Sequence, residues 1–394
     1  MQHLRFQISY FQNMKIVADR HIPQVTEAFS DLGDITLFEG RDIKRGNIAD
    51  ADILLVRSVT PVTPELVAAT KLKFIASATT GIEHINLPDT LSGITENGIG
   101  FAYAPGSNAN SVAQYVVAAI LHMVRKKKLS LAGSRIGIIG VGNIGSLVRQ
   151  YAEAMGMKCL LNDPPKKRLT ANTLFRPLEE VLRNSDIVTL HVPLEKQGSD
   201  PTFHLVNAAF LKQLKQGAVL INTSRGKVVH EAALKQHRSG LCGLVLDVWD
   251  HEPSIDPEMC AIADIATPHI AGYSYDGKII GTLMIHRAAC SFFKQVPAWD
   301  PAALLSESAG VIDVTHSADP VFDAVEHAYP IMRDDASLRK IISAKAEERG
   351  AFFDALRANY PKRLEFSHYQ VRCNRQQNDA AAILRKLGFK LESI

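Results

Sequence analysis

Residues 135–163 constrain the fold more than any other stretch of the chain. Arg135 to Ile139 reads R-I-G-I-I, a short apolar run rich in β-branched residues, which predicts a buried parallel strand. Gly140-Val-Gly142-Asn-Ile-Gly145 follows directly. From Ser146 to Met155, Leu147, Val148, Tyr151 and Met155 recur at helical spacing, so the glycines sit on a strand-to-helix turn. A second apolar run, Met157 to Leu161, leads to Asp163. Strand, glycine turn, helix, strand and acid form the βαβ unit that binds a dinucleotide.

The residue types fit that chemistry. Gly140 permits the tight turn, Gly142 leaves room for a pyrophosphate against the backbone, and Gly145 lets the helix pack close to the strand. Asp163 accepts hydrogen bonds from ribose hydroxyls and repels a 2′-phosphate, which favours NAD over NADP. Pro164-Pro165 follows it in place of an arginine, although Lys166, Lys167 and Arg168 come soon after.

At 394 residues the chain is long enough for two or three domains. Its net charge of +3, with both signs interspersed, gives no basic stripe, so neither nucleic acid nor an anionic membrane surface is an expected partner. Cys159, Cys242, Cys260, Cys290 and Cys373 are scattered and show no C-x-x-C spacing. That argues against a disulfide framework or a zinc site, and no metal is expected; a reducing cytoplasm fits. No segment approaches the ~20 apolar residues that span a bilayer. Met1 to Asn13 lack the apolar centre of a signal peptide and precede the first strand, so they are left out of the expected fold.

Along the chain, strands are expected at Lys15–Ala18, Ile35–Phe38, Ile53–Val56 and from Phe74, with helices at Ile22–Leu32 and Pro64–Ala69. Val56-Arg57-Ser58-Val59-Thr60 and Ala78-Thr79-Thr80-Gly81 therefore fall at carboxyl ends of strands, where open α/β sheets present ligand loops. For Ser58 and Thr79, turn capping and ligand binding are equally compatible with the residues. Arg57, beside Ser58, is a candidate phosphate contact. Ala109 to Lys128 reads as a long amphipathic helix with a basic end suited to the helix dipole. After Asp163 the alternation continues to the strand Gly243–Val248, as in a Rossmann domain. From Ala309, strands at Val311–Val314 and Tyr369–Cys373 with helices at Val321–His327, Ala351–Arg357 and Ala380–Leu387 indicate a third, smaller α/β module.

Arg225, Glu252 and His269 each follow an expected strand or its loop in the same half of the chain. An arginine offers a planar fork to an α-carboxylate, a histidine exchanges protons near neutral pH, and a carboxylate beside it fixes its tautomer. Singly, each has an ordinary structural reading: a helix-end salt bridge, a surface turn, a loop cap.

Together, Gly140–Gly145 with Asp163, Asn222-Thr-Ser-Arg-Gly226, Leu246-Asp-Val-Trp-Asp-His-Glu-Pro253 and Thr267-Pro-His-Ile-Ala-Gly272 resemble the NAD-dependent D-2-hydroxyacid dehydrogenases over roughly Lys15 to Phe293. The resemblance implies an α/β chain with a flavodoxin-like substrate-binding domain at 14–108, completed by about 274–298. It also implies a Rossmann NAD-binding domain at 109–273 and a small C-terminal α/β dimerisation domain at 300–394. It makes Arg225 the carboxylate-binding residue, His269 the acid/base and Glu252 its support. NAD is the implied cofactor, held by Gly140, Gly142, Asn143, Ile144, Asp163, Val192, Thr223, Ser224, Asp247 and Gly272. His269-Ile-Ala-Gly-Tyr273, Met332-Arg-Asp-Asp-Ala336 and Lys386-Leu-Gly-Phe389 point within the family to a member with a tail. By that likeness the substrate is a small phosphorylated 2-hydroxy acid touched by Ser58, Thr79 and Tyr273, and the tail mediates a homodimer. Other members are dehydrogenases of 3-phosphoglycerate or hydroxypyruvate, and some relatives are non-catalytic NAD-sensing adaptors; both remain open at this point.

Overall fold

The computed structural model describes residues 14–88, 93, 95, 98–127 and 130–392, so Met1–Asn13, left out of the expected fold, and Lys128, the expected end of the long helix, lie outside the described residues. The chain forms two compact units, one of residues up to Asn108 with Tyr275–Glu307, the other of Ala109–Ser274 with the residues from Ser308 onward.

The first unit is built on β1 (Met14–Asp19), β2 (Gly33–Phe38), β3 (Ile53–Val56), β4 (Phe74–Ser77) and β5 (Gly100–Tyr103). They pair in parallel in the order β2-β1-β3-β4-β5, the flavodoxin-like order. β3 and β4 are buried along their whole length, which explains their unbroken apolar sequences. β5 escapes sequence reading because Gly100-Phe-Ala-Tyr103 has no β-branched residue. The helix expected over Ile22–Leu32 is confined to Val25–Phe29. Pro23 precedes its start, and Gln24 caps it in a left-handed conformation, φ 56°. The long helix Tyr275–Phe292 belongs to this unit, where Ile285, Ala289 and Cys290 join its core.

The second unit carries β6 (Arg135–Ile139), β7 (Lys158–Asn162), β8 (Ile187–Leu190), β9 (Ala218–Asn222), β10 (Leu241–Leu246) and β11 (Ile265–Ala266). These form one parallel sheet in the order β11-β10-β9-β8-β6-β7. An isolated parallel bridge between Leu161 and Phe175 stands where a further strand outside β7 would complete the first Rossmann half. A smaller parallel sheet, β12 (Gly310–Asp313), β13 (Tyr369–Arg372) and β14 (Lys390–Leu391), completes the unit.

The helix Ala109–Lys127 differs from an amphipathic surface helix: Val112, Val116 and Ile120 are buried, but so are Tyr115, Val117, Ala118 and Leu121. The reason is packing on more than one side. Its hydrophobic cluster runs from Ile136 and Ile138 of the large sheet to Phe322, Tyr329 and Val371 of the C-terminal segment. Arg125 lies 4.3 Å over the Phe322 ring. A helix covered this way holds the carboxyl-terminal segment and the large sheet in one core.

Candidate active site

The glycine loop is shaped by contacts that a side chain would destroy. Gly140 has φ +84°, and a Cβ there would lie 2.5 Å from the His191 carbonyl oxygen and 2.9 Å from Val192 Cγ1. At Gly145 a Cβ would meet the Gly140 carbonyl oxygen at 2.1 Å, whereas the space beside Gly142 is open. Gly142 caps the helix Asn143–Ala154, so the N–H groups at Asn143 and Ile144 open toward the loop. Open backbone at Gly142 and a helix N-terminus behind it fit a dinucleotide pyrophosphate.

Asp163 stands at the end of β7, where both of its carboxylate oxygens accept backbone hydrogen bonds. One oxygen accepts from Val141 N–H at 2.9 Å, and the other caps the helix Pro164–Thr170 by accepting from Lys166 N–H at 3.0 Å. Lys166 donates to the Val141 carbonyl, and Arg168 is paired with Asp200, so these cations already have protein partners. Val192 lines the loop at the end of β8. The neighbouring His191 is a site residue that sequence reasoning missed. Burial pushes its imidazole down to about 3, and it pairs with Thr189 Oγ1 at 3.0 Å and Thr223 Oγ1 at 3.4 Å. Its only sequence signal is a histidine at the end of an apolar strand.

At the end of β9, Asn222 organises the Thr223-Ser224-Arg225 turn. Its Oδ1 accepts from Ser224 N–H and Oγ, and its Nδ2 donates to the Arg225 carbonyl at 3.1 Å. Arg225 Nη1 donates to the Ser224 carbonyl at 2.8 Å. A Cβ at Gly226 would lie 1.8 Å from the Trp249 carbonyl oxygen. This close approach presses the Arg225 turn against the turn that carries Glu252.

Glu252 and His269 meet: Nδ1 of His269 is 2.7 Å from Glu252 Oε2, while Oε1 accepts from Trp249 N–H at 2.9 Å. Burial alone would raise the Glu252 carboxyl, but the His269 charge and hydrogen bond, Trp249 N–H and the Arg357 charge bring it below the usual carboxylate range. His269 adopts φ +57°, a conformation that costs a non-glycine residue roughly 1–2 kcal/mol. Asp247 supports it. The Asp247 carbonyl accepts from His269 N–H at 2.7 Å. One carboxylate oxygen accepts from Thr267 Oγ1 and Ile270 N–H, and the other from Ala271 N–H, just before Gly272. Burial raises the Asp247 carboxyl, opposed by the His269 charge and these donors.

Tyr273 follows on the same loop, and its hydroxyl accepts from Arg357 Nη2 at 2.8 Å. Arg357, from the helix Ala346–Ala358, is a second residue that sequence reasoning missed. No motif marks it, because only the docking of that helix brings it here.

Ser58 and Thr79 belong to the first unit. Ser58 is exposed in the turn after β3. Thr79 Oγ1 pairs with Ser77 Oγ at 2.6 Å and donates to the Gly81 carbonyl at 2.8 Å, at the end of β4. Arg57 turns its fork onto the buried Asp19, with Nε at 3.0 Å and Nη2 at 3.3 Å. In the same unit Asp31, His286 and Cys290 bring possible metal-ligand atoms within 4.8 Å of one another. The Nδ1 of His286 is buried without a partner, whereas a metal-bound imidazole ordinarily gives its other nitrogen an acceptor. All five cysteines are free thiols, and among the described residues no helix is long and apolar enough to cross a membrane.

Comparison with known proteins agrees with this geometry. Residues 108–271 match the family model "D-isomer specific 2-hydroxyacid dehydrogenase, NAD binding domain", and residues 312–388 match a domain of unknown function. The chain is 42% identical to an erythronate-4-phosphate dehydrogenase of Salinibacter ruber, over 91% of this chain and 94% of the relative. It is 40% identical to one of Cronobacter sakazakii, over 95% and 98%. The structure of D-lactate dehydrogenase from Aquifex aeolicus, complexed with NAD and lactic acid, covers 71% of this chain and 95% of its own at 27% identity and TM-score 0.56. The cofactor is NAD, and the chain is an oxidoreductase with a Rossmann NAD-binding domain. With glycine loop, Asp163 and the Glu252–His269 pair in place, this chain belongs to the erythronate-4-phosphate dehydrogenase family, within the D-isomer-specific 2-hydroxyacid dehydrogenases.

Proposed function

We propose that this chain oxidises 4-phospho-D-erythronate at C2 to the 2-oxo acid with NAD, a step in the formation of pyridoxal 5′-phosphate. The observation that carries the reading is the 2.7 Å contact between His269 Nδ1 and Glu252 in a chain about 40% identical to erythronate-4-phosphate dehydrogenases.

The geometry supports distinct roles. Arg225 presents its guanidinium to the substrate α-carboxylate and polarises the adjacent carbon–oxygen bond. Glu252 accepts from Nδ1–H of His269, which leaves Nε2 as the base that takes the C2 hydroxyl proton. As that proton leaves, the imidazolium forms beside an ionised carboxylate. Bound NAD supplies the hydride acceptor, and the residues that hold it are Gly140, Gly142, Asn143, Ile144, Asp163, Val192, Thr223, Ser224, Asp247 and Gly272. Ser58, Thr79 and Tyr273 contact the substrate.

In this reading residues 14–108 with about 274–298 bind substrate and 109–273 bind NAD. Residues 300–394 pair two copies into a homodimer. The protein works in the cytoplasm, where its five free thiols suit a reducing medium. The test is to incubate it with NAD and 4-phosphoerythronate and trap the product as a hydrazone. One 2-oxo acid per NADH supports the reading; NADH without 2-oxo acid, or neither, refutes it.

A further inference from the structure

The C-terminal helix Ala346–Ala358 is anchored by Phe353, which is fully buried in a cluster with Leu338, Ile341 and Trp249. One turn later it delivers Arg357 beside Tyr273. The guanidinium lies 5.5 Å over the Tyr273 ring and 5.9 Å over the Phe353 ring, and Nη2 donates to the Tyr273 hydroxyl. Among the described residues that is its one hydrogen bond to the protein, and no carboxylate pairs with it within salt-bridge distance. Its Nε is buried without an acceptor.

A buried guanidinium ordinarily has its donors satisfied or its charge paired, because both are costly to strip of water. Arg357 has neither. Burial works against its charge, yet the nearby Tyr273, Glu252 and Asp247 keep it firmly protonated. Other arginines are more fully engaged, although Arg363 also leaves one buried nitrogen, Nη1, without an acceptor. Arg363 donates to the Ala271 carbonyl and Ser111, and Arg168 pairs with Asp200. Arg57, the sequence candidate for a phosphate contact, forks onto Asp19. A substrate with both an α-carboxylate and a phosphate needs a second cation after Arg225.

We propose that Arg357 is the specificity-determining residue for the second anionic group of the substrate, its guanidinium and the Tyr273 hydroxyl forming the phosphate-binding end of the site. This rests on the proposed reaction and assigns part of the chemistry to the C-terminal segment, whose family model carries no function.

The test uses the full chain with Arg357→Gln and Arg357→Lys, and two substrates, 4-phosphoerythronate and D-erythronate. A hydrogen bond to a charged group is worth about 1.5–3 kcal/mol, so Arg357→Gln should raise KM for 4-phosphoerythronate about 10- to 100-fold. The KM for D-erythronate, or its Ki where turnover is slow, should stay within about twofold, and Arg357→Lys should recover part of the loss. NADH binding followed by fluorescence checks that the variants fold, and it should not change. Equal losses for both substrates, or no loss, would overturn the assignment while leaving the reaction standing. Failure of the unaltered protein to oxidise 4-phosphoerythronate would instead defeat the reaction, and this assignment with it.

Discussion

Nδ1 of His269 stands 2.7 Å from Glu252 Oε2, and the same glutamate is held from behind by the Trp249 backbone N–H. The pair is therefore oriented by backbone before any substrate arrives. Replacing Glu252 by Gln keeps the shape but removes the charge that stabilises the imidazolium. We expect kcat to fall roughly 10²-fold, with NADH binding unchanged. The folded Glu252 carboxyl titrates below its ordinary value. Its contribution to stability is thus present above the unfolded carboxylate value of about 4.3 and disappears as pH falls through the lower folded value. Urea unfolding from acid to neutral pH should show the parent gaining stability over Glu252→Gln as pH rises.

Asp247 predicts a different phenotype. Its carboxylate accepts from Thr267 Oγ1 and the Ile270 and Ala271 N–H groups while its backbone holds His269 at positive φ. In Asp247→Asn the amide NH2 must face one set of these donors. The expected cost is about 1–3 kcal/mol in urea unfolding, together with a lower kcat. An unchanged kcat would show that the turn does not depend on this carboxylate.

At Asp163 charge and capping separate. Asp163→Asn can still cap the helix Pro164–Thr170 through its one amide oxygen, but its NH2 must then face Val141 N–H, and the charge that would repel a 2′-phosphate is gone. Fluorescence titration should show weaker NADH binding and a preference over NADPH reduced by about tenfold. Asp163→Ala should add a stability loss of about 1 kcal/mol for the missing cap.

Gly226→Ala tests the contact between the Arg225 turn and the turn that carries Glu252. The added methyl would sit 1.8 Å from the Trp249 carbonyl, so the backbone of one turn must shift. We expect a fall in kcat/KM for substrate of more than about tenfold, with NADH affinity nearly unchanged.

The nucleotide-binding half is legible in the sequence because its requirements are local: a strand, a glycine pattern and an acid follow one another within β6, the loop and β7. The strand-end positions of Arg225 and of the Asp247–Glu252 segment are legible for the same reason, since both follow apolar runs. Arg357 is not, because nothing beside it marks a site; its place depends on how Phe353 seats the helix. His191 looks like a strand-end polar residue, and only the His191 carbonyl against Gly140 shows that it borders the loop. The second role of Asp163, as a helix cap, is also hidden, since Pro164-Pro165 reads as a break although proline is well suited to a first helical turn. The buried helix Ala109–Lys127 looks amphipathic because the segment that covers its other side lies far along the chain.

The most direct measurement is NADH absorbance when the protein and NAD are mixed with 4-phosphoerythronate or with 3-phosphoglycerate, alongside His269→Asn. Selective turnover of 4-phosphoerythronate, reduced roughly 10²- to 10⁴-fold in the variant, is the predicted result. Turnover of 3-phosphoglycerate instead, or an undiminished rate in His269→Asn, would contradict it.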